Sequence, residues 1–113
     1  MNTTRVPKDA SETSLKNAIM LWLRTQDILA WRSPAGPFST AGIPDIIGVL
    51  PGGRFLAIEA KRPGKYKDPV QGLTPAQSRM LVALGDVGAL TIVTDTLQHV
   101  IEAITDSQKE LSP

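Results

Sequence analysis

The stretch that decides the fold is residues 45–61, which read DIIGVLPGGRFLAIEAK. Two apolar runs, residues 45–50 and 54–61, flank the tripeptide PGG at 51–53. Short apolar runs separated by three residues that include glycine are typical of a β-hairpin. The sequence therefore predicts two antiparallel strands joined by a tight turn.

Charged residues lie in both predicted strands. Asp45 begins the first strand, and Glu59 and Lys61 lie near the end of the second. Because strand residues alternate between faces, Glu59 and Lys61 project to the same side. A three-residue loop suits a type I turn followed by a left-handed glycine, with Pro51 at the first turn position and Gly53 at the left-handed one. In that register Asp45 lies opposite Glu59, with Cβ atoms roughly 5 Å apart, whereas a four-residue loop would place Asp45 on the other face.

Asp45 and Glu59 at this separation repel each other by roughly 3 kcal/mol at an effective dielectric constant of about 20. A nearby lysine offsets part of the repulsion, and a hard divalent cation offsets far more. The chain has no cysteine and one histidine, His99, so the ligands of a metal ion would be mostly oxygen atoms. Oxygen ligands favour magnesium, manganese or calcium.

The whole sequence predicts a small mixed α/β domain with a central sheet flanked by helices, in the order α-β-β-β-α-β-α. Apart from the hairpin, the predicted elements are a helix over 10–24, a strand over 28–31, loops over 32–43 and 62–73, a helix from 75 to 84 that stops at Gly85, a strand over 89–94 and a helix that begins at Leu97. Residues 1–8 and 106–113 are expected to be loose.

Length and composition fit one globular domain. The chain has 113 residues, of which 42% are apolar and 20% are charged, and these values are ordinary for a single domain. No apolar run approaches about 18 residues and the N-terminal stretch has no apolar segment, so we expect no membrane span, no signal peptide and a cytoplasmic location. Trp22 and Trp31 are expected in the core.

Capping-box patterns precede two of the predicted helices. Asp9 stands three residues before Glu12, and Thr74 stands three residues before Gln77. Glu12 also falls on the inward apolar stripe of its helix, so it could add a third carboxylate to the two acids of the hairpin.

Three motifs in order resemble the signature of a nuclease family. G-I-P-D at 42–45, E-A-K at 59–61 and L-T-P-A-Q at 73–77, with Glu12 on the leading helix, are similar to the VRR-NUC family of the PD-(D/E)XK nucleases. The resemblance covers roughly residues 11–101, and the length resembles the stand-alone members from phages and bacteria. It implies a restriction-endonuclease-like core.

The resemblance implies a metal-dependent active site. Asp45, Glu59 and the backbone carbonyl of Ala60 would bind Mg²⁺ or Mn²⁺, and Glu12 would be an outer or second ligand. The metal would activate water and polarise the phosphate that is hydrolysed.

The resemblance also implies roles for Lys61 and Gln77. Lys61 would orient or deprotonate the attacking water and stabilise charge on the phosphate, and Gln77 would support the lysine or the substrate. Basic residues expected to contact DNA phosphates are Arg32, Arg62, Lys65 and Lys67.

Together these roles imply an endonuclease that hydrolyses phosphodiester bonds of DNA. The family suggests structure-selective cleavage of branched DNA, such as four-way (Holliday) junctions, in DNA repair. Symmetric cutting of such a substrate needs two active sites, so a homodimer is expected. No organic cofactor and no membrane partner is expected, and the compartment would be the cytoplasm of a bacterial host, with a phage or prophage as one source of the gene.

Each of these residues also has a purely structural interpretation. Asp45 could cap a turn, Glu59 and Lys61 could form a solvated pair, and Glu12 and Gln77 could act only as helix caps. Two other function classes stay open, namely a non-catalytic nucleic-acid-binding module with the nuclease fold and a hydrolase of small phosphate esters. The joint occurrence of Asp45, Glu59 and Lys61, followed directly by the basic residues Arg62, Lys65 and Lys67, favours the nuclease.

Overall fold

The computed structural model describes residues 11–34 and 40–110. Its elements are α1 (Glu12–Thr25), β1 (Leu29–Arg32), β2 (Ile46–Val49), β3 (Phe55–Ala60), a 3-10 helix (Pro69–Gly72), α2 (Pro75–Asp86), β4 (Leu90–Thr94) and α3 (Leu97–Lys109). This succession confirms the predicted order α-β-β-β-α-β-α. None of the helices in these two ranges is long and apolar enough to cross a membrane.

The four strands form one mixed sheet in the spatial order β1-β2-β3-β4. Strand β2 is antiparallel to both β1 and β3, and β4 runs parallel to β3. The core lies between one face of this sheet and helices α1 and α3, while α2 packs against β4. The largest buried side chains of the core are Leu15, Ile19 and Leu23 of α1, Ile46, Leu56 and Ile58 of the sheet, and Val100 and Ile104 of α3.

The hairpin has the predicted three-residue loop at 51–53. Strands β2 and β3 pair in the register that places Ile46 opposite Ile58. Continued by one residue, this register places Asp45 opposite Glu59. The prediction that the two acids meet across the hairpin therefore agrees with the strand pairing.

The turn of the hairpin differs in type from the prediction. The N–H of Gly53 donates to the carbonyl of Leu50 at 2.9 Å, and Gly52 and Gly53 both have φ +95°. A positive φ at the third turn position is characteristic of a type II turn and not of the predicted type I. Only the left-handed conformation of Gly53 is confirmed.

Helix α1 starts differently from the predicted capping box. Ser11 caps the helix, and its Oγ accepts a hydrogen bond from the N–H of Ser14 at 3.0 Å. Glu12 is therefore the first residue of the helix, where the predicted box required the third. Asp9 lies outside the described residues. A serine next to the helix start offers the same kind of side-chain acceptor as an aspartate, so Ser11 can take the capping role predicted for Asp9.

Helix α2 runs through the predicted stop at Gly85 to Asp86. The left-handed glycine that follows the helix is Gly88, with φ +103°. Glycine interrupts a helix only weakly, and it ends one where the backbone must adopt positive φ.

Helix α3 extends to Lys109, so residues 106–109 are helical and not loose as predicted. Ser107 is buried on the inner side of this last turn, and its hydroxyl donates to the backbone carbonyl of Ile104 at 2.8 Å. Residues 1–8 and 111–113 of the predicted loose ends lie outside the described residues.

The sheet face opposite the core is apolar and exposed near β1. Leu29 and Trp31 are 67% and 46% exposed, and Phe55 is 36% exposed. Strand pairing places these three on one face with Val49 between Leu29 and Phe55, and we call Leu29, Trp31 and Phe55 the open sheet face. The prediction that Trp31 lies in the core is wrong because Trp31 is on the sheet face opposite the core, whereas its neighbour Ala30 and Trp22 do pack against the core.

Gly42 explains the first position of the G-I-P-D motif. Its φ is +82°, and a Cβ atom built on it would lie 2.3 Å from the backbone carbonyl oxygen of Ala76. The segment that leads into Asp45 therefore packs backbone against backbone on the first turn of α2. Only a residue without Cβ fits there.

We expect Gly42→Ala to lower the free energy of unfolding by about 2 kcal/mol more than Gly52→Ala, as measured by urea denaturation. Both substitutions place alanine at a positive φ, but only Gly42 has a backbone atom in the way, since nothing lies within 4 Å of a Cβ on Gly52. Equal losses for the two variants would contradict this packing.

Candidate active site

Asp45 is fixed at the start of β2 by its main chain and its side chain. The N–H of Ser33 donates to the carbonyl of Asp45 at 2.9 Å, and the hydroxyl of Ser33 donates to the carbonyl of the buried Pro44 at 2.5 Å. Oδ2 of Asp45 accepts a hydrogen bond from the N–H of Ala60 at 2.9 Å, and Oδ1 lies 3.3 Å from Nζ of Lys16. The carboxylate is thus held between β3 and α1.

Glu59 is a buried carboxylate with one satisfied oxygen. Its exposure is 2%. Oε2 accepts a hydrogen bond from Nε2 of Gln77 at 3.2 Å and lies 3.5 Å from Nζ of Lys61. Oε1 is buried and has no hydrogen-bond partner among the described residues. Burial and the neighbouring charge of Asp45 raise the pKa of Glu59 from 4.5 to about 7, against the opposing effect of Lys61.

Lys61 and Gln77 form one connected unit with the start of α2. Nζ of Lys61 donates to Oε1 of Gln77 at 3.0 Å. The same Oε1 accepts from the N–H of Thr74 at 2.9 Å, and Oγ1 of Thr74 accepts from the N–H of Gln77 at 3.1 Å. Gln77 therefore completes the predicted capping box and contacts the lysine and Glu59 in a single conformation, so its two proposed roles are compatible.

The donor atoms around the acid pair fit a hard divalent cation. A buried carboxylate oxygen without a partner costs about 1–3 kcal/mol, and oxygen ligands of this kind are the ones that Mg²⁺ and Mn²⁺ prefer. Oε1 of Glu59 is such an oxygen, and Asp45 brings a second carboxylate beside it. The carbonyl of Ala60 stays the predicted third ligand.

Glu12 does not form a three-residue metal-binding group with Asp45 and Glu59. Within residues 11–34 and 40–110, no three side chains of Asp, Glu, His or Cys lie close enough to hold one metal ion together. Glu12 is half-buried at the first position of α1, and its role as a ligand stays a prediction. Lys16, one helical turn further along α1, contacts Asp45 instead.

Lys16 is a site residue that the sequence reasoning missed. It follows the buried Leu15 on a helix whose polar residues are mostly solvated, so nothing marks it as different from a surface lysine. The one available signal is its i+4 spacing from Glu12, which places the two residues on the same side of α1.

A cleft of about 250 Å³ opens beside Asp45 on the α1 side. Its lining includes Lys16, Arg32, Ser33 and Gln77. The cleft is therefore lined by two cationic side chains and by Asp45, one member of the acid pair.

The predicted DNA-contacting residues lie on two sides of the acid pair. Arg62, Lys65 and Lys67 are exposed in the segment that follows β3. Arg32 is exposed at the end of β1, and its Nη1 donates to Oδ1 of Asn17 at 3.0 Å. All four cations are accessible to a phosphate backbone.

The segment with the three cations, predicted as a plain loop, has internal structure. The ring of Tyr66 lies against Gly72, where a Cβ atom would be 2.5 Å from the ring. Asp68 caps the 3-10 helix, and the N–H of Gly64 donates to Oδ2 of Asp95 at 3.3 Å. The tyrosine ring therefore has a packing role, and the cations are presented from a segment of defined shape.

The raised pKa of Glu59 predicts that stability without metal depends on pH. Because the folded state binds this proton more tightly than the unfolded state, the free energy of unfolding falls as pH rises from about 4.5 to about 7. The loss is roughly 3 kcal/mol at most. Urea denaturation in EDTA at pH 4.5 and pH 8 measures it. Glu59→Gln should remove this loss, whereas the control Glu102→Gln, on the exposed side of α3, should retain it. The same change in the free energy of unfolding with pH in the wild type and in Glu59→Gln would contradict the burial of a titrating carboxyl.

The chain matches a solved structure over nearly its whole length. That structure, a VRR_NUC domain protein, is 26% identical in sequence, with a TM-score of 0.69 over 89% of this chain and 90% of the other. A scan against family models gave no match, and neither did a search of curated proteins. This likeness in fold, together with the meeting of the G-I-P-D, E-A-K and P-A-Q motifs at one site, supports the predicted resemblance to the VRR-NUC family.

Proposed function

We propose that the chain is a Mg²⁺- or Mn²⁺-dependent endonuclease that hydrolyses phosphodiester bonds in DNA. The observation that carries the proposal is the convergence of Asp45, Glu59 and Lys61 at one end of the sheet, where one buried oxygen of Glu59 has no partner in the described part of the chain. A module that only binds DNA has no use for buried carboxylates, which repel phosphates. Their presence favours cleavage over binding alone.

Asp45, Glu59 and the carbonyl of Ala60 would hold the ion. When bound, such an ion lowers the pKa of a coordinated water and polarises a phosphoryl oxygen. The hydrogen bond from the N–H of Ala60 to Asp45 fixes the direction of that carboxylate. The contact of Gln77 with Oε2 leaves Oε1 of Glu59 available as a ligand.

Lys61 supplies the positive charge that faces the reacting phosphate. Its Nζ is held by Oε1 of Gln77 at 3.0 Å and by Oε2 of Glu59 at 3.5 Å. From this position the ammonium can orient the attacking water and stabilise the phosphoryl oxygens as the water oxygen bonds to phosphorus and the leaving oxygen departs. Gln77 is anchored by its own helix cap, so it restricts the motion of the lysine.

Exposed cations on both sides of the acid pair would bind the DNA backbone. Arg62, Lys65 and Lys67 follow Lys61 along the chain, and Arg32 lies on the other side. The open surroundings favour a polymer over a small phosphate ester, which usually needs an enclosed pocket. Branched DNA as the preferred substrate, and repair in the bacterial cytoplasm as the setting, rest on the family resemblance.

We expect Lys61→Ala and Asp45→Asn each to lower the cleavage rate by about a hundredfold or more, because each removes charge stabilisation that the transition state needs. The assay uses Mg²⁺ or Mn²⁺ with linear, flapped, forked and four-way DNA. Lys109→Ala, an exposed lysine at the end of α3, is the matched control and should cut at the wild-type rate.

Binding of four-way DNA in EDTA separates cleavage from binding. Asp45→Asn should bind as well as the wild type or better, because it removes a negative charge near the phosphates. If wild type and both site variants bind DNA but none cuts it under any metal condition, the chain is a binding module and the nuclease proposal fails.

We further propose that the chain acts as a homodimer through the open sheet face. This face presents Leu29, Trp31 and Phe55 to solvent. Exposed aromatic and large aliphatic side chains in one patch are typical of protein interfaces. A two-fold symmetric interface uses the same patch on both copies, and it would supply the second active site that symmetric cutting requires.

Substitution of Trp31 by glutamate should therefore convert a dimer into a monomer, because it places a charge in a desolvated interface. Sedimentation equilibrium measures the mass of each form. Val87→Glu, which adds the same charge at a residue 82% exposed at the end of α2, should leave the dimer intact. Wild type that sediments as a monomer at micromolar concentration would rule out this interface.

A further inference from the structure

Lys16 lies against the acid pair from the side opposite Lys61. Its Nζ is 3.3 Å from Oδ1 of Asp45, and its side chain is only 17% exposed. The neighbouring Leu15 and Ile19 are fully buried in the core, so the packing of α1 fixes the position from which Lys16 reaches the acid. The lysine belongs to none of the three motifs that mark the family.

The charges at the site balance when no metal is present and both carboxylates are ionised. Lys61 pairs with Glu59, and Lys16 pairs with Asp45. Two carboxylates and two ammonium groups together carry no net charge. A divalent cation added to this set leaves two positive charges in excess, which is the condition for holding phosphate groups.

Lys16 and a metal ion would compete for the same oxygen. Oδ2 of Asp45 accepts the hydrogen bond from the N–H of Ala60, whereas Oδ1 is the oxygen in contact with Lys16. A cation that binds Oδ1 would place two positive charges beside one oxygen, and their mutual repulsion favours release of the ammonium.

The cleft beside Asp45 offers the displaced ammonium a different partner. Lys16 and Arg32 both line this space of about 250 Å³. Arg32 has five N–H donors, and among the described residues its side chain donates to Oδ1 of Asn17. The hydroxyl of Ser33 is already engaged by the carbonyl of Pro44. Lys16 and Arg32 are therefore the groups of this wall suited to bind an anion.

We propose that Lys16 alternates between two anions: it neutralises Asp45 when the metal is absent and, once the metal binds, it joins Arg32 in binding a phosphodiester of the DNA in the adjacent cleft. The DNA part of this inference rests on the proposed nuclease function. The bound DNA strand would then cross the end of the sheet from Arg32 and Lys16, over the acid pair, towards Arg62, Lys65 and Lys67.

The first test measures Mn²⁺ binding to the protein alone, by calorimetry or by the electron paramagnetic resonance of free Mn²⁺. Lys16→Met removes the competing ammonium but keeps an apolar stem, and it should tighten binding by about two- to fivefold. Lys109→Met makes the same change in net charge away from the site and should leave the affinity unchanged. If Lys16→Met lacks the wild-type unfolding transition, Lys16→Gln replaces it.

The second test measures the salt dependence of four-way DNA binding in Ca²⁺, used as a non-cleaving probe, for the wild type, Lys16→Met and Lys109→Met. Loss of one phosphate contact should reduce the slope of log K against log salt by about one for Lys16→Met and leave it unchanged for Lys109→Met.

The outcomes separate this inference from the proposed function. Equal Mn²⁺ affinity for wild type and Lys16→Met shows that the lysine does not compete with the metal, and an unchanged salt slope shows that it does not bind phosphate; either result overturns the inference while the nuclease assignment stands. Failure of the wild type to bind Mn²⁺ at all, or to cut DNA, overturns the proposed function and the inference with it.

Discussion

The burial of Glu59 beside a second carboxylate is the constraint on which the site depends. A strand end at the centre of a sheet normally carries an apolar residue, and here it carries an acid whose pKa is raised to about 7 by burial and by Asp45. Such a group persists only if neighbouring groups repay its desolvation. The surrounding hydrogen bonds and ion pairs each offset part of the free energy that burying the two acids costs.

The stabilising contacts to the two acids come from three separate parts of the fold. Lys61 lies two residues beyond Glu59 along the chain, directly after β3, Gln77 contacts Glu59 from the first turn of α2, and Lys16 contacts Asp45 from α1. The helix cap of α2 uses the same glutamine oxygen as the site does. Stability of the helix start and the geometry of the acids are therefore linked by a single side chain.

The sequence was sufficient for the hairpin and for the residues on it, since loop length fixes register and register fixes which side chains meet. The sequence was insufficient for features that depend on packing between distant segments, such as side-chain contacts, exposure and helix ends. Lys16 carries no local signal of its contact. Trp31 is apolar but lies on the sheet face that α1 and α3 do not cover, and the sequence of β1 does not show which face the helices cover. The positions of Gly85 and Ser107 show the same limit, because helix ends depend on what the helix packs against.

The close packing at Gly42 limits which amino-acid substitutions this region can accept. The atom that excludes a side chain there is the main-chain oxygen of Ala76, which every amino acid at position 76 would retain. Second-site suppressors at that position cannot relieve the overlap, so any compensation for a larger residue at 42 must shift the helix itself, and with it the glutamine that holds the lysine.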